Sequence, residues 1–193
     1  ATIIVASQMK DAKTLGYDLL PNFNRPFLSE NVTTLWRRMH MSLSLWFNDY
    51  VFKQLSFRFR KWGKYAAVFA VFITFTLFGI WHGAGWTFMI LGFLQALAIN
   101  YEFFTKKWRS SFFSKIPGPY RIWLGRIFTY LFFGISHIFF FAPDMKTALS
   151  SFSKIQIPVS YTSNIFIPGP LKFGLAFAFI AIIFEIIQND HKN

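Results

Sequence analysis

No cysteine occurs in the 193 residues, so disulfides and thiolate metal sites are excluded. Acidic side chains are scarce, with 8 Asp and Glu against 20 Lys and Arg and a formal net charge of +12. They are too few and too scattered for a paired-carboxylate mechanism. No two histidines stand at metal-ligand spacing and no HExxH occurs, so no metal site is expected. No GxSxG elbow and no phosphate-cradling glycine loop is present, and nothing points to a cofactor. No internal repeat and no low-complexity segment breaks the chain. No basic n-region precedes a short apolar core at the start, so no signal peptide is expected, and the opening Ala1 is expected to be a truncation.

What is abundant is apolar. The hydrophobic fraction is 54%, charged residues make up 15%, and there are 28 Phe and 7 Trp. Mean hydropathy is +0.37. Long apolar runs with few charges read as a chain whose solvent is a bilayer. The basic residues lie between those runs. Lys53 to Lys64 carries five cations and no acid, and Lys106 to Arg121 forms a second basic stretch around Pro117-Gly118-Pro119. This fits loops facing anionic lipid on the cytoplasmic side better than a nucleic-acid surface, and no nucleic acid is expected as a partner.

The chain reads as an all-α membrane protein with about four transmembrane helices and one interfacial amphipathic helix. Residues 1–64 form a re-entrant or interfacial region and residues 65–193 the transmembrane part. Thr33 and Thr34 are candidate caps for a single helix from Leu35 to about Tyr50. At 100° per residue, Leu35, Trp36, Met39, Leu43, Trp46, Phe47 and Tyr50 share one side, and His40 sits on the border. The spans expected are Tyr65 to Ile80, Trp86 to Tyr101, Ile122 to Ala142 and Leu171 to Ile187. The Pro143 to Pro170 segment reads as an outer loop rich in Ser, Thr and Pro.

Between the first two spans lies Gly79-Ile80-Trp81-His82-Gly83-Ala84-Gly85-Trp86. Each flanking run covers only about 24 Å as helix, against a hydrocarbon core of ~30 Å. His82 is therefore expected in a depression or channel. An ionisable group between two apolar spans is a functional candidate by default. With no carboxylate pair or thiol available, histidine has to carry any proton transfer. Of the other histidines, His40 marks an amphipathic border, His137 reads as a packing residue, and His191 lies in a polar tail. Trp81 and Trp86 read either as interfacial anchors or as the wall of a pocket.

Three stretches together resemble the membrane-bound O-acyltransferase family, in its bacterial branch of alginate O-acetylases and teichoic-acid D-alanyl transferases. They are Leu15-Gly16-Tyr17 through Pro21-Asn22-Phe23-Asn24-Arg25-Pro26-Phe27, then Leu35-Trp36-Arg37-Arg38-Met39-His40 through Tyr50, then Gly79 through Phe88. Order and spacing agree, and a weaker fourth match runs over Phe139 to Asp144. Met39 stands where the family commonly has Trp, and His137 lies near a position that is usually aromatic. Family members are considerably longer, so the resemblance implies that this chain is the C-terminal part of a larger multi-helix fold.

The resemblance further implies a membrane enzyme that transfers an acyl group, most simply acetyl, to hydroxyls of an exported or cell-surface polysaccharide. His82 matches the family's catalytic histidine and His40 its second functional histidine, with Trp81 and Trp36 as the aromatic residues expected against substrate. The implied partners are an acyl donor (an acetyl donor or an acylated carrier protein), the polysaccharide acceptor, the lipid bilayer and other proteins of the transferase pathway. The implied location is the bacterial inner membrane, with several crossings. D-alanyl transfer to teichoic acid is the second enzymatic reading. A proton-coupled transporter using His82 and His40 as a relay is the reading from another class.

Overall fold

The computed structural model describes residues 14–16 and 21–154. Among them there are helices and turns and no strand. A one-turn 3-10 segment at Pro26–Leu28 precedes α1 (Val32–Arg38) and α2 (Met41–Phe47). A π-helical stretch, Asn48–Phe52, carries α2 straight on into α3 (Lys53–Arg58). After a 3-10 turn at Arg60–Trp62 come α4 (Lys64–His82), α5 (Trp86–Phe113), α6 (Gly118–Ser136), the single turn α7 (Ile138–Phe141) and α8 (Met145–Lys154).

Three segments are long and apolar enough to cross a membrane: Lys64–His82, Trp86–Phe113 and Gly118–Phe141. The fourth expected span, Leu171 to Ile187, lies outside the described residues. Polarity along these helices is inverted relative to a water-soluble bundle. Thr74, Gln95, Asn100, Thr129 and Ser136 are buried, while Phe93, Leu97, Phe103, Ile127, Phe128 and Leu131 point outward. Outward apolar side chains cost nothing where the surroundings are hydrocarbon, whereas a polar group there must find a partner. Thr74, Asn100 and Thr129 find theirs on carbonyls one turn back, Ala70, Ala96 and Gly125, at 2.6, 3.0 and 2.7 Å.

The most extensive helix pair is α4 with α5. Two glycines explain how closely these helices approach. A Cβ on Gly79 would stand 2.2 Å from the Phe88 carbonyl oxygen, and one on Gly92 would stand 2.1 Å from that of Phe75. Backbone meets backbone at both points, so only glycine fits.

The helix expected from Leu35 to Tyr50 is broken. Met39 is extended and His40 is left-handed (φ 46°, ψ 47°), so α1 and α2 are separate helices. The break splits the expected apolar stripe: Leu35, Trp36 and Phe47 are buried, while Trp46 and Tyr50 are exposed. The cap is also different. Asn31 Oδ1 accepts from the Thr34 N–H at 2.7 Å, because Thr33 and Thr34 already lie inside the first turn. The two remaining free N–H groups there, of Val32 and Thr33, donate to the Glu102 carboxylate of α5 at 2.7 and 2.9 Å. Two further boundaries shift. The third span turns at His137, and part of the expected Pro143 to Pro170 loop is α8, whose first turn is capped by Asp144 Oδ1 accepting from Thr147 N at 2.7 Å.

Candidate active site

His40 is placed by the segment before it. The chain Pro21-Asn22-Phe23-Asn24 runs beside the α1–α2 break and fastens it on both sides. Asn24 N donates to Arg38 O at 2.8 Å, and Met41 N donates to Asn22 O at 2.9 Å. Asn22 Oδ1 also accepts from Ser42 N at 3.1 Å and Ser42 Oγ at 2.5 Å. A left-handed non-glycine residue costs ~1–2 kcal/mol, and this double fastening holds it. The Phe23 ring closes over the imidazole with centroids 5.3 Å apart. Tyr130 of α6 ties the same segment down by donating to the Pro26 carbonyl. The Pro21 to Phe27 part of the first stretch and the second stretch are thus one device that aims His40. Partial burial holds the His40 pKa below its ordinary value, which favours the neutral ring.

His82 is the last residue of α4. Gly83 ends the helix, and its N–H closes the final turn on Ile80 O at 3.0 Å. The imidazole is held by rings alone among the described contacts: Phe78 at 5.2 Å, Trp81 at 4.8 Å and Phe140 at 5.2 Å.

His40 and His82 line one cavity of about 250 Å³, together with Trp36, Gln95, Phe133, His137 and Phe140. Three of the four site residues read from the sequence therefore converge there: His82, His40 and Trp36. Trp81 stands apart from the lining and is 59% exposed, with its ring edge-on to His82. A larger cavity of about 490 Å³ lies on the other side of Trp36, Phe75 and Phe78, which wall both spaces. No histidine is among the described residues that line it.

Two residues of the small cavity went unremarked or underrated in the sequence. Gln95 is 1% exposed and bridges the helices: Trp36 Nε1 donates to its Oε1 at 3.1 Å, and its Nε2 donates to Ser136 Oγ at 2.8 Å. An amide inside the uncharged Trp86 to Tyr101 run was a usable signal, since such a group needs a buried partner. His137, read as a packing residue, lines the cavity beside Phe140. Its ring is fixed by Nδ1 donating to Phe133 O at 2.8 Å. No cluster of three or more metal-ligating side chains exists among the described residues.

Chemically, the cavity brings imidazoles to an aromatic-walled space. A neutral imidazole there can take a proton from a hydroxyl as a new bond forms.

The profile of the membrane-bound O-acyltransferase family matches residues 18–142. The chain is 38% identical over 103 residues to "Teichoic acid D-alanyltransferase" of Bacillus subtilis (strain 168), covering 51% of this chain and 26% of that protein. It is 34% identical over 115 residues to "Probable alginate O-acetylase AlgI" of Pseudomonas syringae pv. tomato, covering 54% and 22%. It is 32% identical over 133 residues to "Peptidoglycan O-acetyltransferase" of Helicobacter pylori, covering 66% and 23%. The matches thus take in about a quarter of each of these relatives, in line with a segment of a longer protein. With the profile spanning most of the sequence, and with its two motif histidines in one cavity, the chain belongs to the membrane-bound O-acyltransferase family.

Proposed function

We propose that the protein containing this chain is a bacterial inner-membrane enzyme of several crossings that transfers an acetyl group to hydroxyls of an exported or cell-surface polysaccharide. The observation that carries this is the convergence of His40 and His82, from separate segments, on one aromatic-walled cavity. In the proposed step His82 is the general base. It removes the acceptor hydroxyl proton while the oxygen attacks the acyl carbonyl, and the proton then passes to the departing group of the donor. His40, neutral and held by the Asn22–Asn24 segment, orients the donor. Trp36 shapes the cavity wall, and Trp81 contacts substrate as it arrives at the rim. The donor is an activated acyl compound, a small acetyl donor or an acylated carrier protein, and other proteins of the export pathway are expected at the membrane.

The second reading is D-alanyl transfer to teichoic acid. It is favoured by the match to the Bacillus subtilis relative over 103 residues. Supplying the full-length protein with acetyl or D-alanyl donors separates the two.

The base assignment is tested with His82→Ala in the full-length protein, with membrane insertion verified. Acyl transfer is expected to fall by about 10²–10⁴. Undiminished transfer removes His82 from the role. Proton flux without any acyl transfer would instead favour a transporter.

A further inference from the structure

A buried polar chain runs beneath the cavity, and its direction is dictated by one member. Trp36 Nε1 can only donate, so Gln95 Oε1 accepts it at 3.1 Å. Gln95 must then present its NH₂ to Ser136 Oγ, at 2.8 Å. The Ser136 hydroxyl donates onward to Phe133 O at 2.9 Å. That carbonyl also accepts the His137 backbone N–H at 3.0 Å. A carbonyl oxygen only accepts, so the contact of His137 Nδ1 with Phe133 O at 2.8 Å requires the proton on Nδ1. In the neutral ring Nε2 then carries a lone pair. Nδ1 is committed to the backbone, which leaves Nε2 as the ring nitrogen available to the cavity that His137 lines.

The surroundings say what such a lone pair would meet. Phe140 neighbours both imidazoles, with its ring centroid 5.2 Å from His82 and 5.9 Å from His137. An aromatic face suits the C–H face of a saturated ring, because its negative quadrupole attracts those hydrogens. Hydrogen-bond acceptors beside that face suit hydroxyls that radiate from such a ring. Among the described residues no carboxylate lines the cavity, so acceptance from a hydroxyl has no anionic competitor from them.

We propose that His137 is an acceptor-binding residue. Its Nε2 takes a hydrogen bond from one hydroxyl of a sugar ring seated on Phe140, while a neighbouring hydroxyl of the same ring is acylated at His82. This rests on the acyl-transfer reading above and deepens it: the acceptor is polyhydroxylated, and the site reads two of its hydroxyls at once.

Two variants separate this role from a structural one. His137→Asn keeps an N–H where Nδ1 stands and removes the acceptor at Nε2. His137→Gln does the reverse. The purified full-length protein is assayed with 4-nitrophenyl acetate as donor and a deacetylated alginate hexasaccharide as acceptor. For His137→Asn, the KM for the hexasaccharide is expected to rise about tenfold, the scale of one lost hydrogen bond, with kcat little changed. His137→Gln is expected to stay within about threefold of the wild type on the same scale. Release of nitrophenol in the absence of acceptor is expected to fall by less than transfer does in the His137→Asn protein.

If the glutamine variant is the more damaged, His137 only anchors Phe133 and the proposal falls. It also falls if both variants match the wild type, or if acceptor-free donor hydrolysis drops in step with transfer. A readout without mutation uses diethyl pyrocarbonate, which carbethoxylates a free imidazole lone pair. The hexasaccharide is expected to slow labelling of His137 in the wild type, and absence of protection overturns the proposal. Retained transfer by His82→Ala removes the base assignment and leaves the His137 result standing. A wild type that transfers nothing to the hexasaccharide removes both readings of the acceptor.

Discussion

The two halves of the cavity are held by different physics. On one side, His40 sits in a left-handed turn fastened by directional hydrogen bonds from Asn22 and Asn24, with the helix before it capped by Asn31 and Glu102. On the other, His82 ends a helix whose position depends on shape, through glycines at 79 and 92 and rings from Phe78, Trp81 and Phe140. The first half can be loosened by deleting one polar atom. The second tolerates the loss of a polar atom, having few, but not the addition of a methyl group. Hydrogen bonds give an angle to a strained turn, and close packing sets the distance between two apolar helices that hydrocarbon alone would not drive together.

The comparison is broken most severely at Gly92. Gly92→Ala puts a Cβ against the Phe75 carbonyl oxygen, which can be relieved only by moving the helices apart. A destabilisation of about 1–3 kcal/mol is expected from such overpacking, read as a lowered Tm in detergent, with acyl transfer reduced in the same variant. Gly85→Ala is the control, since its Cβ would meet only ordinary contacts at 3.6 and 3.7 Å. Equal behaviour of the two variants would show that shape does not govern the hairpin.

On the polar side, His40→Gly and His40→Ala both remove the imidazole. The glycine variant is expected to be the more stable by about 1 kcal/mol, because alanine carries the left-handed cost and glycine does not. Equal Tm values would mean that the turn relaxes when the ring is gone. Asn22→Ala removes the acceptor of Ser42 N and Ser42 Oγ. A cost of about 1 kcal/mol is expected for these exposed bonds, together with a drop in transfer as His40 loses its aim. Unchanged transfer would show that the Phe23 ring and the backbone bonds suffice.

The smallest effect is on pH dependence. Burial lowers the His40 pKa, so the unfolded chain takes up this proton before the folded one does. Stability from this source is intact above the ordinary histidine value of about 6.5. It is lost as the pH falls from there through the folded pKa. The Tm difference between the wild type and His40→Asn, which keeps a residue tolerant of the left-handed turn, is expected to shift against the wild type as acid is added. A constant difference from pH 7.5 to 5 would contradict a His40 whose pKa is lowered by its partial burial.

Much was legible before any coordinates. The apolar runs and their basic flanks marked the three helices among the described residues that are long and apolar enough to cross a membrane, because period and charge are local properties. The ordered motifs gave the family, and with it His40 and His82 as a pair. The break at His40 was not legible. At 100° per residue, the sequence from Leu35 to Tyr50 makes an acceptable helix, and only the Asn22–Asn24 segment packed beside it favours the left-handed turn over a helical one. Trp81 and Trp36 looked alike as aromatic candidates, yet one is 59% and the other 8% exposed. Which face of a helix a ring occupies depends on the neighbour it packs against.

Taken alone, the sequence determined the helical class, the apolar spans and the two histidines with which the family is recognised. The meeting of α1, α5 and α6 decided the rest. It drew Gln95 between Trp36 and Ser136, so that the indole N–H, the amide and the hydroxyl became partners. The direction of a hydrogen-bond chain follows from which donor and acceptor touch, and these residues touch only after the helices have packed.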